Sequence, residues 1–536
     1  MKFLLLILFA LFVNNCFSQS GSSTWTADNG NGTYKNPILH ADYSDPDAIR
    51  VGDDFYMISS SFNAAPGLPI LHSRDLVNWT IIGHALQRQF PEKDFAKVQH
   101  GNGVWAPSIR FHNGSFYIYF PDPDQGIFLT KAKNIRGPWS TPVMVETGKG
   151  LIDPCPLWDT NGKAYLAHAY AGSRAGFKSI IVVKEMNMAG DSTIGNGVMV
   201  YDGHGIDATI EGPKFHKRNG YYYIFAPAGG VSTGWQLVLR SKNVYGPYER
   251  KVVMDQGKSA INGPHQGAWV NTASGQDWFL HFQDKDAYGR VVHLQPMVWK
   301  NDWPVIGTDK DGDGTGEPVL VFKKPAVTKT YPVAVPETSD EFSSTSLGLQ
   351  WQWQANPQSG WGFPTPNGFF RLFCIRPTDS LPNYWMLGNM LTQKIPAETC
   401  NATVKMQFNP ANINDRAGLM MFGLDYAFIS IVKKADGNYL SFNSCKAADK
   451  NSKDHEKELV KWNAKDLYLR VTVDPGAVCS FSYSADGKSF EKIPGTFTAR
   501  PGKWVGAKFG LFATSTVKTN DAGFVDVDWF RLSSNE

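Results

Sequence analysis

A turn followed by an aromatic, alternating strand recurs five times in the first half of the chain. The copies read VGDDFYMIS (51–59), HNGSFYIYF (112–120), NGKAYLAHA (161–169), RNGYYYIFA (218–226) and SGQDWFLHF (274–282). The intervals between their aromatic markers are 61, 48, 57 and 57 residues, measured along Tyr56, Tyr117, Tyr165, Tyr222 and Phe279. A repeat of this length is the size of a four-stranded propeller blade with its loops. The sequence therefore predicts an all-β fold that begins with a five-bladed β-propeller over residues 35–321.

A second motif follows three of these repeats and ends each time on an aromatic residue. Its copies read SRDLVNW (73–79), AKNIRGPW (132–139) and SKNVYGPY (241–248). A recurrent outer turn of this kind fits packing between neighbouring blades.

The second half of the chain has a different pattern. Residues 322–336 carry three prolines and no helical periodicity, which is typical of a linker. Alternating strands follow, such as YLRVTV (468–473) and SFSYSA (480–485). These features predict a linker over 322–336 and a β-sandwich of the jelly-roll type over 337–536.

Composition excludes several classes of partner. The formal net charge is only +3 and no run of Lys or Arg stands out, which disfavours nucleic acid and anionic membranes as partners. After the N-terminus no apolar stretch of 18 residues occurs, so no membrane span is predicted. The oligomeric state does not follow from the sequence.

The N-terminus has the pattern of a secretory signal peptide over residues 1–18. Lys2 precedes an apolar run from Phe3 to Val13, and Ser18 is a plausible cleavage position. Lipidation of Cys16 is the competing interpretation, although the residues before it lack the usual small side chain. We expect an exported protein, periplasmic or secreted.

The cysteines do not form a disulfide framework. If Cys16 leaves with the signal, an odd number with wide spacing remains, and no CxxC pair suggests zinc. A single bridge within the last four stays open, among Cys374, Cys400, Cys445 and Cys479.

Three carboxylates occupy nearly the same place in different repeats. They are Asp45, Asp153 and Glu211, which precede the aromatic markers of their repeats by 11, 12 and 11 residues. Trp105 precedes its own marker by 12 residues. Because the innermost strands of a propeller face one axis, these positions should converge on one pocket.

Three converging carboxylates would repel one another unless a metal neutralises them or a reaction uses them. Glycoside hydrolysis accounts for them directly. One carboxylate must be ionised to activate water, and another must stay protonated to donate to the leaving oxygen. A third, ionised and close to the acid, raises the pKa of that acid through like-charge repulsion.

The other aspartates of 42-DYSDPDAIRVGDDFYM-57 have different predicted roles. Asp53 and Asp54 belong to a hairpin turn, and Asp47 lies deeper along the axis than Asp45, which favours a structural role. Asp42 lies three residues before the key position. A separate acidic run, 309-DKDGDGTGEP-318, lacks the glutamate of a full EF-hand loop, so a polar surface turn is favoured over a partial Ca²⁺ site.

The motifs around the carboxylates have a known counterpart. In order along residues 35–300 they read NPILHADYSDPDAI, HSRDLVNW, GVWAPSI, LIDPCPLWD, EGPKF and GRVVHLQP. In content and order they resemble glycoside hydrolase family 43. The C-terminal half resembles the concanavalin-like sandwich of its α-L-arabinofuranosidase and β-xylosidase branches. The resemblance implies a five-bladed propeller and an inverting mechanism.

Roles for individual residues follow from this resemblance. Asp45 would be the general base, Glu211 the general acid, and Asp153 the residue that tunes and orients the acid. The resemblance also implies that Arg290 contacts the substrate and a catalytic carboxylate.

The same resemblance implies further contacts in the pocket. Phe62 and Trp105 are similar to the aromatic walls around the terminal sugar, with core packing as the alternative. His265 is similar to a histidine that approaches a hydrated ion on the axis, often calcium, with a hydrogen-bonded core histidine as the alternative. No organic cofactor is required.

The resemblance implies an exo-acting inverting glycosidase of hemicellulose. The first expectation is release of terminal α-L-arabinofuranosyl residues from arabinoxylan or xyloglucan oligosaccharides, because the loop 63–67 (NAAPG) is small and would leave an open wall. The alternative is a β-D-xylosidase acting on xylo-oligosaccharides. A non-catalytic carbohydrate-binding protein is a third possibility, against which the presence of all three carboxylates argues. The sandwich is expected to pack on the propeller and shape the pocket, with binding of polymer as its alternative role.

Overall fold

The protein is all-β in the computed structural model, which describes residues 24–377 and 381–535. The proposed signal peptide, residues 1–18, lies outside these residues. The described part contains a propeller, a short connecting segment and a β-sandwich, in the order that the sequence predicts.

The propeller has five antiparallel blades of four strands each. A short strand, β1 (Thr33–Lys35), precedes them. Blade 1 contains β2 (Asp47–Val51), β3 (Asp54–Ile58), β4 (Gly67–Ser73) and β5 (Trp79–Leu86). Blade 2 contains β6 (Ser108–His112), β7 (Ser115–Asp122), β8 (Gly126–Ala132) and β9 (Val143–Thr147). Blade 3 contains β10 (Leu151–Trp158), β11 (Ala164–Tyr170), β12 (Ile180–Met186) and β13 (Thr193–Asp202).

The last two blades repeat this order. Blade 4 contains β14 (Lys214–Arg218), β15 (Tyr221–Ala228), β16 (Trp235–Ser241) and β17 (Glu249–Met254). Blade 5 contains β18 (His265–Asn271), β19 (Asp277–Asp284), β20 (Arg290–Lys300) and β21 (Trp303–Ile306). One α-helical turn, α1 (Gly172–Ala175), and the 3₁₀ turns Asp94–Ala96 and Asp286–Tyr288 lie in the connections.

The aromatic repeats form the second strand of every blade. Phe116, Ile118 and Phe120 of β7 pack against blade 1, whereas Tyr117 and Tyr119 of the same strand pack against blade 3. A strand buried on both faces reads as a nearly continuous apolar run, which is why these segments are so rich in aromatic residues. First strands of neighbouring blades contact one another, so they are the innermost strands.

The second sequence motif forms an outer turn with a recurring hydrogen bond. Trp79 Nε1 donates to the Leu76 carbonyl at 2.8 Å, and Tyr248 Oη donates to the Val244 carbonyl at 2.9 Å. Trp139 makes the corresponding bond at 3.2 Å. The terminal aromatic residue therefore folds back over its own turn, which satisfies its polar atom beside the blade.

The segment predicted as a linker is held on the propeller. Its first residues lie in β22 (Val321–Lys323), which pairs with β1. Lys324 forms ion pairs with Asp28 and Asp75, and the Ala334 amide donates to Asn78 Oδ1 at 3.1 Å. The prolines therefore lead the chain along the propeller surface to the second domain.

The sandwich consists of two antiparallel sheets. In spatial order the first contains β23 (Gln352–Trp353), β26 (Met390–Lys394), β36 (Lys508–Thr514), β28 (Arg416–Phe422), β29 (Tyr426–Lys434), β30 (Gly437–Cys445) and β31 (His455–Trp462). The second contains β24 (Gly362–Pro364), β25 (Phe370–Phe373), β37 (Phe524–Ser533), β27 (Cys400–Asn409), β32 (Asp466–Asp474), β33 (Val478–Ser484) and β34 (Glu491–Lys492), and β35 (Phe497–Thr498) also pairs with β33. Two 3₁₀ turns, Tyr384–Met386 and Ala448–Lys450, complete the domain.

The sandwich core is apolar and contains no disulfide among the described residues. All five described cysteines are buried and free, so the bridge left open by the sequence does not form. Across residues 24–377 and 381–535 we find no helix with the length and apolarity needed to span a bilayer.

The two domains interlock at two places. The propeller loop that carries Ala65 pairs with Trp353 of the sandwich, through reciprocal backbone bonds of 3.0 and 2.6 Å. Tyr288 of blade 5 enters the sandwich core, where its hydroxyl accepts from the Ala477 amide at 2.8 Å and donates to the Glu398 carbonyl at 2.8 Å. The sandwich thus fixes the position of two loops of the propeller.

Candidate active site

The three carboxylates lie at the start of innermost strands of three blades. Asp45 precedes β2, Glu211 precedes β14, and Asp153 lies in β10 at a break in its pairing with β11. Asp45 and Asp153 adopt left-handed backbone, with φ of 55° and 58°. This conformation costs roughly 1–2 kcal/mol per residue, although aspartate tolerates it better than most residues. The cost is typical of functional positions, where surrounding structure holds the strained backbone.

Asp45 is buried between an arginine and two hydroxyls. Its Oδ1 lies 3.2 Å from Arg290 Nη1, and its Oδ2 accepts hydrogen bonds from Ser60 Oγ and Ser44 Oγ. Arg290 also donates to Ser44 Oγ at 3.2 Å, so its guanidinium is oriented from two sides. These partners hold the carboxylate in one orientation, as a proton acceptor requires.

Asp153 receives hydrogen bonds from blades 4 and 5. Its Oδ2 accepts from the Gly212 amide at 2.7 Å, and the side chain of Gln266 donates to the same carboxyl group. Burial raises the pKa of Asp153, the Gly212 bond opposes that shift, and the negative charge of Asp45 adds to it. Asp153 therefore lies close enough to Asp45 and to the Glu211 backbone to couple them.

Glu211 has the environment of a proton donor. Burial raises the pKa of its carboxyl group, and the negative charges of Asp153 and then Asp45 raise it further. Its side chain retains 25% exposure, so the carboxyl group can meet a ligand. Since Asp153 and Glu211 both hold protons more tightly than ordinary carboxyls, the cluster can retain a proton at Glu211 at neutral pH.

His265 lies against Glu211 but does not complete a metal site. Its Nε2 is 3.4 Å from Glu211 Oε1, and burial lowers the pKa of the ring to about 3, which leaves the imidazole neutral. Neither ring nitrogen has a hydrogen-bond partner. Within the described ranges, the one group of three mutually close metal-type ligands is the exposed turn Asp309, Asp311 and Asp313, where Lys300 pairs with Asp309 at 3.0 Å. His265 alone therefore offers a single nitrogen, which does not fit an ion held by protein ligands, and calcium on the axis stays a prediction.

The two predicted aromatic walls lie together. Phe62 and Trp105 have ring centroids 6.3 Å apart at 60°, and the backbones of Phe62 and Val104 pair with each other. Trp105 is half-buried, and its Nε1 donates to the Gly101 carbonyl at 2.8 Å. Phe62 is only 3% exposed, so it supports the Trp105 ring more than it offers a surface of its own.

A tryptophan of the sandwich completes this aromatic group. Trp504 lies 6.1 Å from Trp105, ring to ring at 62°, and 47% of its surface is exposed. Its neighbour Lys503 packs so closely on Gly101 that a Cβ there would lie 2.6 Å from Lys503 Cγ. On the other side, Arg174 of α1 lies 5.6 Å from the Trp105 ring. An exposed tryptophan held beside a half-buried one is typical of a surface that stacks on a ligand.

Several residues of the site were not found from the sequence. Ser60 and Gln266 each lie next to a residue that the motifs singled out, and their neighbours were the available signal. Trp504 lies in the other domain, more than 200 residues after the last propeller motif. Nothing in its local sequence, Gly502 to Gly506, distinguishes it from a surface turn.

The arrangement supports acid–base chemistry at one acetal carbon. It offers an oriented carboxylate, a protonated carboxyl group and a third carboxyl group that couples the two. Aromatic rings beside them can stack on the C–H face of a sugar.

Comparisons with known proteins agree with this chemistry. The model of "Glycosyl hydrolases family 43" matches residues 34–304, and that of "Beta xylosidase C-terminal Concanavalin A-like domain" matches residues 339–533. A relative from Xylanibacter ruminicola, provisionally named a β-xylosidase, is 39% identical over 93% of this chain and 89% of its own. A β-xylosidase from Formosa agariphila is 35% identical over 96% of this chain and 92% of its own.

Two further similarities extend along both domains. A non-reducing end α-L-arabinofuranosidase from Bacteroides ovatus is 29% identical over 93% of this chain and 94% of its own. The crystal structure of the family 43 protein BlXynB from Bacillus licheniformis superposes with a TM-score of 0.80 at 26% identity, over 94% of this chain and all of that one.

Proposed function

The chain belongs to glycosyl hydrolases family 43, and from that premise we propose that it is an exo-acting, inverting β-D-xylosidase acting on xylo-oligosaccharides of hemicellulose. The observation that carries this proposal is the convergence of Asp45, Asp153 and Glu211, two of which have raised pKa values. A non-catalytic binding protein would have no use for a retained proton beside an oriented carboxylate.

The proposed reaction assigns one step to each carboxylate. Glu211 donates its proton to the glycosidic oxygen as the bond from that oxygen to the anomeric carbon breaks. Asp45 takes a proton from water as the water oxygen bonds to the same carbon from the opposite face. Asp153 keeps Glu211 protonated and oriented, and Arg290 holds Asp45 and contacts the sugar.

The sandwich supports an exo mode of action. Its loop around Trp504 touches the propeller at Gly101 and presents the indole beside Trp105. A long polymer chain would have to cross that contact to pass through the site, whereas a chain end would not. The same loop favours a structural role for the sandwich over independent binding of polymer.

The choice of xylose over arabinose rests on two observations. The relatives at 39% and 35% identity carry β-xylosidase names. In addition, Ala64 and Ala65 are 3% and 0% exposed, and their loop pairs with the sandwich. Their small size is therefore explained by packing between domains, and the argument from an open wall no longer favours arabinose.

Release of α-L-arabinofuranose is the second candidate. It is favoured by the full-length similarity to the arabinofuranosidase from Bacteroides ovatus. Export stays part of the proposal and rests on residues 1–18 of the sequence alone.

A paired assay tests the proposed substrate. We expect kcat/KM for 4-nitrophenyl β-D-xylopyranoside to exceed that for 4-nitrophenyl α-L-arabinofuranoside by at least about tenfold, which is about 1.4 kcal/mol of transition-state binding. Proton NMR of early hydrolysis should show α-xylose appearing first, the inverted anomer.

Three outcomes of this assay would contradict the proposal at different levels. A preference for the arabinoside would support the second candidate, and early β-xylose would exclude inversion. Hydrolysis of neither substrate would reject both sugars. The Glu211→Gln enzyme, purified in parallel, serves as the control for contaminating glycosidases.

Removal of the sandwich tryptophan tests its part in the site. We expect Trp504→Ala to raise KM for xylobiose by about 5- to 10-fold, because one aromatic contact contributes about 0.5–1.5 kcal/mol. Phe363→Ala is the matched control, since Phe363 is also an exposed aromatic of the sandwich and its ring contacts Phe373. An unchanged KM for Trp504→Ala, or an equal rise in both variants, would remove Trp504 from the site.

A further inference from the structure

A buried carboxylate joins three segments at the boundary between the domains. Asp42 is 6% exposed, and its Oδ1 accepts from the Arg290 amide at 2.9 Å. Its Oδ2 accepts from the Gly506 amide at 3.0 Å. One side chain thus connects the first motif, the start of β20 and the sandwich loop 500–507.

The packing at this junction leaves no room for another arrangement. A Cβ on Gly289 would lie 2.6 Å from the Asp42 side chain, and a Cβ on Gly506 would lie 2.8 Å from the Gly289 amide nitrogen. Gly289 also has φ of 76°, which favours glycine. Since both glycines let backbone approach Asp42 this closely, the two amides are aimed at its two oxygens.

Each bonded segment carries a group of the active site. Arg290, whose amide binds Asp42, places its guanidinium on Asp45. Gly506 lies two residues after Trp504, on the loop that reaches Trp105. The Tyr43 amide donates to the Arg290 carbonyl at 3.0 Å, which fixes the same peptide from its other side.

The charged groups around Asp42 come from both domains. Lys394 of β26 and Lys508 of β36 interact with it electrostatically, and burial lowers the pKa of each lysine. Lys394 lies 4.0 Å from the centre of the Tyr43 ring. From blade 5, Asp284 and Arg290 face the same region, at 4.0 Å from each other. A carboxylate offsets the two buried ammonium groups, whereas an amide of the same shape does not.

We propose that Asp42 is a positioning residue that sets Arg290 on Asp45 and the sandwich loop on the pocket at the same time. Its effect on catalysis passes through Arg290 to Asp45, and its effect on binding passes through Gly506 to Trp504. The inference rests on the proposed role of Asp45 as the base.

Asp42→Asn tests this inference with little change of shape. Asparagine keeps one oxygen acceptor and turns an NH₂ group toward one of the two amides, so one segment loses its partner. We expect kcat/KM to fall about tenfold or more on whichever aryl glycoside the wild type hydrolyses. We also expect the acidic limb of its pH profile to move to higher pH, because a carboxylate base that loses its arginine is protonated more readily.

Two further measurements separate positioning from simple bracing. Hydrogen exchange should rise together at residues 288–292 and 500–507 in Asp42→Asn, and this readout needs no activity. In a double-mutant cycle, the effect of Asp42→Asn on KM should shrink in the Trp504→Ala background, because the loop has then lost its contact.

Asp415→Asn is the matched control. Asp415 is fully buried and accepts from the Ala411 and Asn412 amides at 2.8 and 2.9 Å, all within the sandwich. It should lower Tm and leave the pH profile and KM unchanged. If Asp42→Asn behaved in the same way, with additive effects and exchange rising in only one segment, the coupling would be refuted. Loss of all activity in the wild type would instead reject the proposed function, and hydrogen exchange would still decide the coupling.

Discussion

Replacing Glu211 with glutamine is expected to lower kcat for 4-nitrophenyl β-D-xyloside by about 10²–10⁴-fold. Glutamine keeps the size of the side chain but has no acidic proton for the leaving oxygen. The loss should be much smaller for a 2,4-dinitrophenyl glycoside, whose leaving group departs without protonation. Steady-state kinetics on the two substrates measure this difference directly.

The pH dependence of the wild type tests the same assignment. Burial and two neighbouring carboxylates raise the pKa of Glu211, so the acid stays protonated to higher pH than an ordinary glutamate. Activity should therefore persist near neutrality and disappear as the pH rises through that pKa. In Glu211→Gln this basic limb should vanish. An equal loss on both leaving groups, with the limb retained, would assign the acid to another residue.

Asp45→Asn is expected to lower kcat by about 10³-fold or more on both leaving groups alike. The amide cannot accept a proton from water, and the attack of water is required whatever group departs. The comparison between leaving groups thus distinguishes the base from the acid within one set of assays.

Asp47→Asn is a stringent control for Asp45→Asn. Asp47 is equally buried, only two residues away, and its carboxylate binds Arg110 and the Ile109 amide. Its loss should lower Tm more than kcat, because those partners are structural. If Asp47→Asn abolished activity as completely as Asp45→Asn, with an unchanged Tm, the base assignment would fail.

The propeller was readable from the sequence because its signal repeats. Every marker from Tyr56 to Phe279 lies on the second strand of its blade, and this strand is buried on both sides. The three carboxylates could be aligned for the same reason, since each lies at the same offset from its marker. Repetition converts a three-dimensional convergence into a regular spacing along the chain.

The contribution of the sandwich had no such signal. Trp504 and Gly506 approach the propeller through single contacts between domains, and no periodic pattern encodes these contacts. The role of Asp42 was also hidden, because its partners are two backbone amides, which any residue but proline supplies. The loop 63–67 was misleading because small residues suit a tight domain contact as well as an open pocket.

The interlocking of the domains has a consequence for what counts as a unit of this protein. The most obvious place to cut the chain is the proline-rich segment 322–336, yet a fragment ending there would lose the strand that pairs with Ala65 and the core that receives Tyr288. Tyr288 lies two residues before Arg290, and Ala65 lies three residues after Phe62. The catalytic half is therefore not an autonomous folding unit, and evolution can exchange or delete the second half only by rebuilding the first.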